Sequence, residues 1–186
     1  GSASILGYDI EKNQKQVKDI IAVSPQETAI APNLTVRENL ELMAGVHGYS
    51  KTEVKEKTAN MIAAFSLQRY ENQKGKTLSG GWQQKLSIAL VLISEPKILF
   101  LDEPTLGLDI LGRRELWTLI EKLKEKTTIV LTTHYLEEAE ALCDRICVMK
   151  DGKVKALGTV EELMLMTNTK NFEDAFVKIV TKEGPL

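Results

Sequence analysis

Two carboxylates leave an apolar run together: Ile98-Leu99-Phe100-Leu101 is followed directly by Asp102 and Glu103. Such a run fits a strand buried on both faces of a parallel sheet, and in open α/β sheets ligands sit at the carboxyl ends of the strands. An acid there can hold Mg²⁺ directly or through water, while its neighbour polarises a water aimed at a phosphate. Taken alone, the same residues also describe a strand ending in a polar turn. A second group is Leu78-Ser79-Gly80-Gly81, set before a helical stripe of Leu86, Ala89, Leu90 and Ile93. The glycines remove side-chain obstruction, Ser79 offers a hydroxyl, and a helix start supplies free N–H groups, a combination that suits an anion. Alone, it is also a flexible loop. His134 follows the run Thr128 to Thr132, Gln26 follows Ser24-Pro25, and Gly107-Leu108-Asp109 stands just past the carboxylate pair. Each of these has an ordinary reading too: a structural histidine, a solvated glutamine, a turn.

The elements that must position these residues can be read from periodicity. Ile20 to Val23 is a short buried strand closed by Ser24-Pro25. Thr35 with Glu38 and Ser50 with Glu53 are capping boxes that open two helices, the first ending near Gly48 and the second running from about Ser50 to Phe65. The interval from Leu34 to about Ile93 is therefore mainly helical. The strand at Ile98, a helix with Leu116, Leu119, Ile120 and Leu123 on one face, and the strand Thr128 to Thr132 make a βαβ unit, which implies a parallel sheet. Leu136 to Leu142 reads as a helix, Ile146 to Met149 as a strand, and Asp151-Gly152 as a hairpin turn into Val154 to Leu157. Thr159 with Glu162 is a third capping box. Phe172, Phe176 and Ile179 then mark a last helix, followed by a Gly-Pro stop.

In this order and spacing, Gln26, Leu78 to Gly81, Asp102-Glu103, Asp109 and His134 resemble the ATP-binding cassette (ABC) ATPases, and the resemblance covers essentially the whole chain. It implies an α/β fold: a partial P-loop NTPase (RecA-like) parallel-sheet core, at 1–30 and 95–165, with an inserted helical signature subdomain at 31–94 and a helical tail at 166–186. It implies ATP and Mg²⁺ as cofactors. Asp102 resembles the magnesium carboxylate, Glu103 the residue that activates water, and His134 the switch histidine on the γ-phosphate. Gln26 resembles the residue that senses Mg²⁺ and the attacking water. Ser79, Gly80 and Gly81 resemble the signature that grips ATP held by the facing subunit of a head-to-tail dimer, and Asp109 the aspartate that communicates across it. Trp82 departs from the glutamine or methionine usual after the signature glycines, and Ile110 from the usual proline. Neither change removes a reacting group.

The resemblance extends to the drug-resistance and lipid exporter branch through Thr132 to Glu140, Cys143 to Ile146 and Asn171 to Phe176. It implies a separate membrane-embedded permease as partner, touched around Gln26 and the helix after Leu34. The location it implies is cytoplasmic, at the inner face of the membrane. The short interval between Gln26 and Leu78 sets the chain apart from family members that work on DNA. The family's Gly-x-x-x-x-Gly-Lys-Ser/Thr loop is not found in these residues. Gly75-Lys76-Thr77 is a decoy, because Tyr70 stands where the first glycine must be and no apolar strand precedes it. By position, Gly1 to Asp9 falls just after the P-loop helix of the family. The chain is therefore expected to be inactive alone, and a non-catalytic interaction module is the alternative to an ATPase.

Composition agrees. The 24 basic and 26 acidic residues, a net charge of −2 and no block of like charge argue against a nucleic-acid binder that works through electrostatics alone. The longest apolar run, Leu86 to Ile93 interrupted by Ser87, falls well short of the roughly 20 residues of a membrane span. Cys143 and Cys147 read as buried, reduced thiols.

Overall fold

The computed structural model describes residues 1–181, so the Gly-Pro stop lies outside the described residues. The chain divides into two compact units, Gly1–Thr132 and the residues from Thr133 onward.

In the first unit, a two-residue hairpin of β1 (Ser4–Ile5) and β2 (Tyr8–Asp9) precedes α1 (Gln14–Ile20) and β3 (Ile21–Ser24). The sequence gives no expectation for α1, since Val17 is its one buried residue and no apolar stripe marks it. Then come α2 (Val36–Val46), α3 (Lys51–Ala64), two 3₁₀ turns, α4 (Gly80–Leu92), β4 (Ile98–Asp102), α5 (Ile110–Lys124) and β5 (Thr128–Thr132). The strands form one parallel sheet in the order β3-β4-β5, with Ser24 beside Leu101 and Leu101 beside Leu131.

Both expected capping boxes are present. The Thr35 hydroxyl accepts from the Glu38 N–H and the Glu38 carboxylate from the Thr35 N–H; Ser50 and Glu53 do the same. The backbone hydrogen bond to Thr35, then the hydroxyl, holds the Glu38 carboxyl below its ordinary range, and for Glu53 the Ser50 hydroxyl leads and its backbone follows. Within α2, Asn39 is 3% exposed. Its Oδ1 accepts from the Ala31 N–H at 2.7 Å, and its Nδ2 faces the carbonyls of Ala31, Leu34 and Thr35 at 2.9–3.2 Å. In the middle of α3, Lys57 pairs with Glu95 at 2.8 Å and lies over the Tyr49 ring. Burial works to lower the Lys57 pKa, but the hydrogen bond and charge of Glu95 outweigh it and the net shift is upward.

Two expectations change here. The helix after the signature is not amphipathic: Gln84 to Leu90 are all buried, because α4 packs against α2, β3 and α5 at once. The sheet is not buried on both faces. Ser24, Leu99 and Leu101 point to a closed face, whereas Val23 at 52% and Val130 at 43% exposure share the other with Phe100. A parallel sheet is sealed only where helices cover it, and on that second face cover is incomplete.

The second unit contains α6 (Leu136–Leu142), an antiparallel hairpin of β6 (Ile146–Lys150) and β7 (Lys153–Gly158), α7 (Val160–Thr167) and α8 (Phe172–Thr181). Asp151 and Gly152 both have positive φ, 52° and 70°, as the tight turn between twisted strands requires. The third capping box, Thr159 with Glu162, opens α7. Ile146, Val148, Ala156, Leu163, Phe172, Ala175 and Ile179 form the core. Cys147 is exposed rather than buried, since the pleat that turns Ile146 and Val148 inward turns it out. Among the described residues, no helix is long and apolar enough to cross a membrane.

Candidate functional site

The parallel register sets Gln26, Asp102 and Glu103 at one edge of the first unit. Gln26 lies two residues beyond Ser24, and Glu103 two beyond Leu101, the register partner of Ser24. Both therefore leave neighbouring strands at the carboxyl edge, where open α/β sheets bind ligands. Asp102 is the last residue of β4 and is exposed. Its Oδ1 accepts a hydrogen bond from the Thr132 hydroxyl at the end of β5. That bond orients the carboxylate and leaves Oδ2 for a cation. Glu103 has φ 47°, and its N–H donates to the Thr132 carbonyl at 3.0 Å. A left-handed conformation is unfavourable for a side-chain-bearing residue and recurs at functional sites. Here it falls at the residue where the strand ends, directly after Asp102.

Among the described residues, no group of three or more His, Cys, Asp or Glu could hold a metal on its own. An exposed aspartate with one oriented oxygen fits Mg²⁺ in its usual setting, where one or two carboxylates share the ion with phosphates and water.

The signature segment begins α4. Ser79 is the N-cap, but its hydroxyl makes no capping bond, so the first N–H groups of the helix are left without a side-chain partner. A Cβ added to Gly80 would meet nothing within 4 Å, while one on Gly81 would reach Leu108 Cδ2 at 3.7 Å. One glycine thus opens a clear approach to the helix end, and the other lies against the turn before α5. In that turn Asp109 caps α5, its Oδ1 accepting from the Gly112 N–H at 2.7 Å. The structure thus brings Ser79, Gly80 and Gly81 next to the Asp109 turn. His134 belongs to the second unit, two residues beyond β5, and its ring lies 4.2 Å from that of Tyr135.

Gly75-Lys76-Thr77 is a 3₁₀ turn that follows another turn and no strand. Gly75 is buried against Ala31 and Ile30, a packing reason for a glycine there.

Sequence reasoning missed three contributors. Thr132 orients Asp102 across 30 residues of chain. Gln83 Nε2 donates to the Gly75 and Leu78 carbonyls at 3.2 and 3.1 Å, fixing the approach to the signature. Lys85, nearly buried, pairs with Glu115 of α5 at 2.6 Å. The available signal was a lysine within the apolar stripe of a helix.

Comparison with known proteins gives a consistent set of likenesses. The sequence model of the ABC transporter family matches residues 1–106. The chain is 40% identical over 164 residues to the daunorubicin/doxorubicin resistance ATP-binding protein DrrA of Streptomyces peucetius, a match covering 88% of this chain and 50% of that protein. It is 39% identical over 159 residues to the phospholipid-transporting ATPase ABCA3 of Homo sapiens, covering 86% of this chain and 9% of that one. The chain thus spans half the length of the first of these relatives and a small fraction of the second. Among solved structures, the ATP-binding subunit of an ABC transporter matches with TM-score 0.80 and 30% identity, over 96% of this chain and 75% of that one. A dimeric ATP-binding cassette in a post-hydrolysis state, bound to ADP and Pi, matches with TM-score 0.73 and 28% identity, over 86% and 73%.

Proposed function

The chain belongs to the ABC transporter family, and from that premise we propose that it is the ATP-hydrolysing part of an exporter, driving a separate membrane-embedded permease from the cytoplasmic face. The observation that carries the reading is the convergence of Gln26, Asp102 and Glu103 at one sheet edge, with Thr132 bonded to Asp102. In this reading ATP supplies the phosphoryl group and its Mg²⁺ the charge that neutralises the phosphates. Asp102 Oδ2 would hold the metal, and Gln26 would orient the water. Glu103 would take the water's proton at its carboxylate, and His134 would face the γ-phosphate. Ser79 and the amides of Gly80 and Gly81 would close on nucleotide carried by a second cassette, arranged head to tail. Asp109 would report that contact back to its own subunit.

The export direction is supported by likeness to a drug-resistance ATP-binding protein and to a phospholipid-transporting ATPase. Residues 31–94 would act as the signature subdomain between the core at 1–30 and 95–165 and the permease. The test is Mg²⁺-dependent ATP hydrolysis by the intact protein. Asp102→Asn and Ser79→Arg should each remove it. Hydrolysis that persists in both would defeat the assignment.

A further inference from the structure

Trp82, the departure from the family's signature pattern, has a clear structural setting. Its ring lies 4.4 Å from that of Tyr70, and the Lys85 ammonium sits 4.2 Å over its face. The same ammonium reaches the Glu115 carboxylate at 2.6 Å, with the lysine side chain 11% exposed. Lys85 lies six residues past Ser79, the N-cap of α4, and Glu115 lies six past Asp109, the N-cap of α5. The start of α4 already runs close to the turn before α5, where a Cβ added to Gly81 would lie 3.7 Å from Leu108 Cδ2. A second tie at equal depth along both helices fixes how far α4 can slide or turn against α5.

We infer that Trp82, Lys85 and Glu115 are positioning residues that lock the signature segment to the Asp109 turn, so that the two present themselves as one rigid unit. The inference rests on the proposed role of Ser79. An ammonium this deeply placed requires partners, and the indole face and the carboxylate supply them. Remove either and α4 loses the contact that sets its rotation. The phosphate-binding amides of Gly80 and Gly81 need placement to about 0.5 Å, so looseness there lowers turnover without lowering the affinity of one subunit for ATP.

The experiment uses the intact protein in two arms. In the first, spin labels at Thr77 and Leu111, in a cysteine-free background and without nucleotide, report the distance distribution between the two helix starts. Wild type and Lys85→Arg should give one narrow distribution, and Lys85→Met and Glu115→Gln should each broaden it about twofold. In the second, each of these two variants should lower kcat about tenfold with ATP affinity within about twofold, and the double variant should be no worse than either. Unchanged label distributions, or kinetic losses that multiply in the double variant, would overturn the inference. Glu115 is exposed, so Glu115→Gln decides the matter even if Lys85→Met fails to fold. Ser79→Arg separates the two readings: full turnover there removes the role of the signature, while the label distributions still decide the lock. Loss in Ser79→Arg with no loss in Lys85→Met removes only the lock.

Discussion

At the scale of residues, the proposed function assigns the two carboxylates different work. Asp102 is held by Thr132, and Glu103 follows it with a positive φ where the strand ends. Glu103→Gln keeps shape and hydrogen-bonding capacity but cannot accept a proton. In the intact protein, turnover should fall about 10²–10⁴-fold, the usual loss for a general base, while equilibrium binding of labelled ATP stays intact. Hydrolysis within a few-fold of wild type would take Glu103 out of that role. The candidate site residues were legible in sequence because each is anchored to a local pattern: Asp102 and Glu103 to the end of an apolar run, Ser79 to the start of a helix. Their supports were not. The Thr132 hydroxyl, the Gln83 amide and the Glu115 carboxylate act on groups brought near by folding, and no spacing rule connects them to what they hold.

At the scale of elements, the helical segment depends on side chains that satisfy backbone groups. Asn39 serves four backbone atoms from within the core. Asn39→Leu leaves the Ala31 N–H without its partner, while the three carbonyls keep the N–H groups of Leu34, Gly75 and residue 39 itself, and one buried orphan donor costs about 1–3 kcal/mol. Urea unfolding followed by circular dichroism should show that variant destabilised by more than Ser50→Ala, which removes one helix cap at about 1 kcal/mol. The capping boxes also give a pH dependence. Glu38 and Glu53 have lowered pKa values when folded, so their contribution is complete above the ordinary carboxylate range and is lost as pH falls through the folded values. The urea midpoint should therefore decline on acidification below about pH 4.5, and more shallowly in a Glu38→Gln/Glu53→Gln variant. An equal decline in both would show that other carboxylates dominate. These caps, the hairpin turn and the strands were all legible because their signals are short-range. The polar first helix was not, and neither was the all-round burial of α4, which reflects contact with three elements at once.

At the scale of the molecule, the open sheet face is the feature with consequences in solution. Val23, Phe100 and Val130 share it, and Val23 and Val130 are roughly half exposed. The 186 residues also contain no Gly-x-x-x-x-Gly-Lys-Ser/Thr loop. Expressed as these residues alone, the protein should bind a fluorescent ATP analogue weakly, because Asp102 and Glu103 repel a polyphosphate unless cations offset them. Micromolar, Mg²⁺-dependent affinity lost in Asp102→Ala would contradict this. The same material should self-associate through the open face, and Val23→Thr/Val130→Thr should reduce that association in sedimentation velocity. An unchanged distribution would place the association elsewhere.

The parallel sheet also sets an order in time. β4 and β5 are joined through α5 alone, whereas β3 must find β4 across the whole helical segment. That second loop is roughly two and a half times longer, which adds about 0.8 kcal/mol of closure entropy before any pairing is gained. Local pairings form early and distant ones late. In pulse-labelled hydrogen exchange, amides of β4 and β5 should gain protection before those of β3, so that Asp102 already has Thr132 beside it when Gln26 arrives. The nascent chain emerges in the opposite sense: β3 leaves the ribosome first and must wait, with its apolar side chains uncovered, for the strand that will hold it.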